Sequence, residues 1–71
     1  MVTMLATVVQ AWGNQVLVRD NSNSQEVLVN TRYSTNNLEA GDQVRIQYNG
    51  VMTASIPPQI SAQSICVFPV L

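Results

Sequence analysis

Glycine, proline and asparagine break this chain at short intervals, and the segments between them are rich in Val, Ile and Thr. β-branched residues suit a pleated, half-buried surface, and turn residues every eight to twelve positions or so mark a compact β fold. The first run spans Val2 to Ala11. Gly13-Asn14 follows as a tight turn, since both residue types tolerate positive φ, and Gln15 to Arg19 returns to complete a hairpin. Asp20 to Ser24 is a polar loop, and Glu26 to Asn30 is a short third strand centred on Val27, Leu28 and Val29.

The segment Thr31 to Ala40 is irregular, and Leu38-Glu39-Ala40 is expected to form at most one helical turn, ended by Gly41. Gln43 to Tyr48 then alternates cleanly. Val44, Ile46 and Tyr48 point one way and Gln43, Arg45 and Gln47 the other, so one face is buried and one wet. Asn49-Gly50 is a strong turn signal, and Val51 to Thr53 is expected to return as a short edge strand. Pro57-Pro58 cannot donate to a ladder and imposes an extended kink. In the last run, Gln59 to Val67, the apolar phase slips between Ala62 and Ile65, which predicts a bulge. Three hairpin-linked strands, an irregular crossover and two further strands predict an all-β fold. The expected form is one OB-like barrel of five strands over residues 1–71, closed or partly open.

A chain of 71 residues has room for one domain. Only 10% of its residues are charged, and its cations are Arg19, Arg32 and Arg45, with no Lys and no His. Three arginines against four carboxylates supply no basic face unless they cluster, which disfavours nucleic acid and a polybasic membrane patch. No apolar run approaches the ~20 residues of a spanning helix. Met1 to Val9 lacks a basic flank and a small-residue cleavage site, and reads as a strand rather than a signal peptide. Asn, Gln, Ser and Thr stand where charges normally do, so the surface is weakly charged and prone to association.

The same inventory bears on catalysis. A Ser-His-Asp arrangement needs the missing histidine, and a Ser-Lys variant the missing lysine. Cys66 has no partner for a disulfide or a zinc site and no histidine to activate it, so it is expected to be a buried structural thiol. Gly13, Gly41 and Gly50 make no phosphate-cradling loop. The chain is therefore expected not to be an enzyme and to need no cofactor and no metal.

The C-terminal part carries a resemblance. Gly41-Asp42-Gln43-Val44-Arg45-Ile46, then Asn49-Gly50, then Ser55-Ile56-Pro57-Pro58-Gln59-Ile60-Ser61-Ala62 resembles the end of a family of small bacterial domains of unknown function. These domains are often lipoprotein-borne and similar to OB barrels. They end with a Gly-Asp strand, an Asn-Gly turn and a Ser-x-Pro-x-Gln-x-x-Ala stretch. The resemblance implies a fold and a cell-envelope or extracellular setting, not a chemistry. The family's acidic residue before the Ser is Ala54 here, and the lipidated cysteine has no counterpart, so anchoring is not implied.

Four residues are candidate ligand contacts: Trp12, Tyr33, Arg32 and Arg45. Each has a plainer reading. Trp12 beside the Gly13-Asn14 turn is expected to cover an open end of the barrel, with stacking on a base or sugar as the alternative. Tyr33, in the irregular crossover, is expected to be partly exposed. Tyr48 is expected in the core and Phe68 as a cap. Arg19 and Arg45 are expected to be solvated or paired with a nearby carboxylate. The leading expectation is a non-enzymatic interaction or structural module that binds a protein partner or another copy of itself. The alternative is an OB-type binder of single-stranded nucleic acid or oligosaccharide, which requires Trp12, Tyr33 and an arginine to converge on one exposed surface.

Overall fold

The computed structural model describes residues 1–32, 34–35 and 37–68. Five strands form: β1 Val2–Trp12, β2 Gln15–Asp20, β3 Glu26–Asn30, β4 Gln43–Tyr48 and β5 Gln59–Val67. They close into a barrel in the order β1-β2-β3-β5-β4, with β4 hydrogen-bonded back to β1. All pairings are antiparallel except β3 with β5. The crossover between β3 and β4 is what permits that parallel contact, since parallel neighbours cannot be joined by a hairpin.

Alternation in each strand sends one set of side chains inward. Met4, Ala6 and Val8 come from β1, Val16 and Val18 from β2, and Val27 and Val29 from β3. Val44, Ile46 and Tyr48 from β4 and Ile60 from β5 complete the buried set. Tyr48 is 7% exposed, as its phase with Val44 and Ile46 requires. Fully burying a Val or Ile side chain is worth ~1.5–3 kcal/mol, and these residues supply most of what holds so small a ring together.

Two bulges shape the ring. On β5, Gln47 faces Ser64 while Tyr48 faces Ala62, so Gln63 has no partner on β4. This is the phase slip legible between Ala62 and Ile65, both of which pack against the core. On β1, Val8 faces Val18 and Gln10 faces Leu17, leaving Val9 unmatched. An extra residue bends its strand and increases the local twist, which helps a sheet of few strands close.

The expectation of a short edge strand after β4 is corrected. Residues 51–53 are not a strand. Residues 49–58 form one loop, held where Thr53 N–H donates to Gln59 O and Gln59 N–H to Thr53 Oγ1. The ring is closed by β1 with β4, so no edge strand stands beside Pro57-Pro58. The stretch Leu38-Glu39-Ala40 makes turns and no helix. Leu38 N–H donates to Thr35 O, Asp42 N–H to Glu39 O, and Glu39 N–H to the Asp42 carboxylate. The carboxylate offers that backbone a partner a helix would not need.

Candidate functional site

The β1–β2 hairpin turns at Gly13-Asn14, where Gly13 has φ +56°. A positive φ at the first of two loop residues suits a turn whose twist matches the strands. The tip is fastened to the crossover. Thr31 N–H donates to Asn14 O, and both the backbone N–H and the hydroxyl of Thr35 donate to Gly13 O. Thr35 is 3% exposed, so its buried hydroxyl is satisfied by this bond. The crossover residue Arg32 is thereby held at the same end of the barrel as Trp12.

Trp12 is not the buried lid expected of it. Without the bulge it would share the inward phase of Met4, Ala6 and Val8. With Val9 unmatched the phase reverses, Ala11 packs inward against the core, and Trp12 stands 44% exposed. The register then sets Trp12 opposite Gln15, Gln15 opposite Asn30, and Asn30 opposite Ser61. These residues form one outward row across β1, β2, β3 and β5. At ~4.8 Å between neighbouring strands the row is ~14 Å long.

The row is linked by amides. Gln15 Nε2 donates to Asn30 Oδ1 at 2.9 Å, and Asn30 Nδ2 donates to Gln59 Oε1 at 3.2 Å. These side chains are half-buried. Each primary amide carries two donors and two acceptor lone pairs, so this ladder leaves hydrogen-bonding capacity facing outward.

Beyond Asn30, β3 ends while β5 runs on along β4, and the sheet parts. A cleft of about 630 Å³ opens there, lined by Asn30, Thr31, Arg32, Asn49, Ser61, Ala62 and Gln63. The unmatched Gln63 sits in its wall, so the bulge that bends β5 also furnishes the cleft. Among the described residues no carboxylate lines it. Among the described residues, the recorded ion pair is Arg19 with Glu26, 3.6 Å apart on the exposed surface. Arg32 is exposed on the rim of the cleft.

The candidate residues thus separate. Trp12 and Arg32 share one end of the barrel. Arg45 lies elsewhere, opposite Leu5 on β1 and Cys66 on β5, beside a shallow depression completed by Val67 and Phe68. Phe68 is half-buried at that outer depression. Tyr33 lies outside the described residues. Cys66 is exposed, not buried, because the bulge at Gln63 puts Ile65 inward and its neighbour outward. Among the described residues no group of His, Cys, Asp and Glu could hold a metal ion. Sequence reasoning missed Gln15, Asn30, Ser61 and Gln63. Their residue types carried no signal, and only the register brings them together.

A family model described as a protein of unknown function, DUF3221, matches residues 7–69. The chain belongs to the DUF3221 family. The match runs from the middle of β1 past the end of β5, so this DUF3221 domain includes the bulge at Val9, the crossover and the cleft. It agrees with the small unknown-function domain expected from the C-terminal motifs, and reaches well into the first half of the chain. No curated protein and no solved structure matches this chain. No helix among the described residues is long and apolar enough to cross a membrane.

Proposed function

We propose that this DUF3221 domain is a non-enzymatic binding module built on an OB-type barrel, with its binding face on the outer side of β1, β2, β3 and β5. The observation that carries the reading is the outward row Trp12–Gln15–Asn30–Ser61 running into the cleft rimmed by Arg32. OB barrels engage oligomeric ligands on the face of the second and third strands, where an exposed aromatic ring supplies a stacking platform. The closed order β1-β2-β3-β5-β4 with parallel β3 and β5 supports that assignment. A chain without His or Lys supports a role in binding rather than turnover.

Amide resonances of the intact chain, followed by NMR during titration with short oligosaccharides, oligonucleotides and peptides, test this reading. The expected result is a set of shifts at Trp12, Gln15, Asn30, Ser61 and Gln63 with one of these classes. Shifts confined to another surface, or chemical turnover of a probe, would remove it.

Self-association is a second reading, favoured by a separate apolar group. Met1, Val2, Val51 and Met52 are exposed around the start of β1 and the loop after β4. Val2 lies against Gly50, whose added Cβ would come within 3.2 Å of Val2 Cγ2. Sedimentation at rising concentration decides it, and a strict monomer at high concentration removes it.

A further inference from the structure

We infer that the ligand of the row and cleft is an acidic oligosaccharide, with a sugar ring on Trp12 and a carboxylate of another residue of the same glycan at Arg32. The inference rests on the binding reading above and names the chemistry of its ligand.

Three features point the same way. First, the row and cleft are lined almost entirely by uncharged donors and acceptors: the amides of Gln15, Asn30, Asn49 and Gln63 and the hydroxyl of Ser61. An amide gives and accepts hydrogen bonds side by side, as a pair of adjacent sugar hydroxyls does, so neither partner leaves a charge unmatched. Second, Trp12 keeps nearly half of its surface in solvent at one end of this row. An indole covers the apolar C–H face of a sugar ring at little entropic cost and needs no charge on the ligand.

Third, among the described residues that line the cleft, a single one carries a formal charge. Among the described residues Arg32 lines it and no carboxylate does, while Arg19, at the far end of β2 from Gln15, is paired with Glu26. A guanidinium is a planar fork that matches a carboxylate with two parallel hydrogen bonds. One cation suits a ligand with an occasional carboxylate. A polyphosphate chain is served poorly, because its affinity grows with each phosphate neutralised and the row offers no second cation.

Titration calorimetry on the intact chain with tetragalacturonic acid, its carboxyl-reduced counterpart and a short oligothymidylate tests the assignment, with Trp12 emission as a second readout. The acidic sugar is expected to bind at least tenfold more tightly than the reduced one. Arg32→Gln is expected to erase that difference while leaving the reduced sugar's binding unchanged. Trp12→Ala is expected to weaken both sugars at least tenfold. Arg45→Gln, outside the row, is expected to change neither. Equal binding of acidic and reduced sugars, or an equal loss from Arg45→Gln, overturns the inference. Row shifts caused by oligothymidylate or a peptide in place of the sugars also overturn it, and leave the binding face standing. If sugars, oligothymidylate and peptides all leave the row resonances unmoved, both the inference and the binding reading fall.

Discussion

Trp12 stands in solvent because Val9, three residues before it on β1, has no partner on β2. One unmatched residue reverses the phase of everything that follows it on the strand, since side chains alternate with a period of two. The barrel gains the bend it needs and, by the same event, turns its one indole outward at the head of the amide row.

Trp12 emission should therefore lie close to that of an indole in water and should be quenched by acrylamide as a freely accessible fluorophore. Trp12→Ala should cost less than about 1 kcal/mol in urea unfolding, as for a residue outside the packed core. A loss several times larger, or a blue-shifted and protected emission, would contradict this placement.

Truncation inside the ring should behave differently. Ile46 is fully buried between its neighbours on β4, and Ile46→Ala should cost ~2–5 kcal/mol through lost burial and the cavity left behind. Arg45→Ala, one residue away and outward, should stay within about 0.5 kcal/mol. Urea midpoints for the two variants measure the contrast. Similar midpoints would mean that the inward and outward faces are wrongly assigned.

The glycines separate two sources of cost. Gly13 has φ +56° and open space around its Cα, so Gly13→Ala should lose only the backbone preference, roughly 1 kcal/mol. Gly50 has φ +91° and Val2 Cγ2 within 3.2 Å of an added Cβ, so Gly50→Ala should lose more, about 2 kcal/mol. Thermal melts would show the order, and Gly13→Ala proving the more harmful would refute it.

A closed ring of three side chains ties the loop after β2 to the barrel. Thr7 Oγ1 donates to Asn21 Oδ1, Asn21 Nδ2 to Gln43 Oε1, and Gln43 Nε2 back to Thr7 Oγ1, at 2.8, 2.9 and 2.8 Å. Asn21→Ala breaks two of these bonds and should cost about 1 kcal/mol, a modest sum because water competes at an exposed site. A double-mutant cycle of Thr7→Val with Gln43→Met should be non-additive by at least 0.5 kcal/mol or so. Additive losses would mean that the three act separately.

The Cys66 thiol, exposed on the outer face of β5, should titrate completely with an aromatic disulfide reagent in native buffer. Cys66→Ser should leave the urea midpoint almost unchanged. A thiol that reacts only after denaturant is added would show that the phase of β5 beyond Gln63 is other than described.

Much of the fold was legible residue by residue. Val44, Ile46 and Tyr48 announce the buried face of β4 because alternation is a local property of a strand. Gly13-Asn14 and Asn49-Gly50 mark chain reversals because few residues accept the backbone angles needed there. The slip between Ala62 and Ile65 reveals the bulge at Gln63 for the same reason. The bulge at Val9 was hidden, since Val8, Val9 and Ala11 are all apolar and an apolar run shows no break in phase. That concealment misplaced Trp12. Cys66 was misplaced because an ambiguous phase allows either face.

The candidate site was legible least. Trp12 and Arg32 stand out by residue type, but Arg45 is equally conspicuous and lies on another face. Gln15, Asn30 and Ser61 are ordinary polar residues, separated along the chain by 15 and 31 positions, and nothing local distinguishes them from Gln47 or Asn23. Local chemistry settles which segments are strands, where they turn and which residues are available, because each of those choices is made by near neighbours. The closed order of strands, the unmatched Val9 and the parting of β3 from β5 follow from pairing between distant segments. That pairing is what sets Trp12, Gln15, Asn30 and Ser61 in one row and places Arg32 at its end.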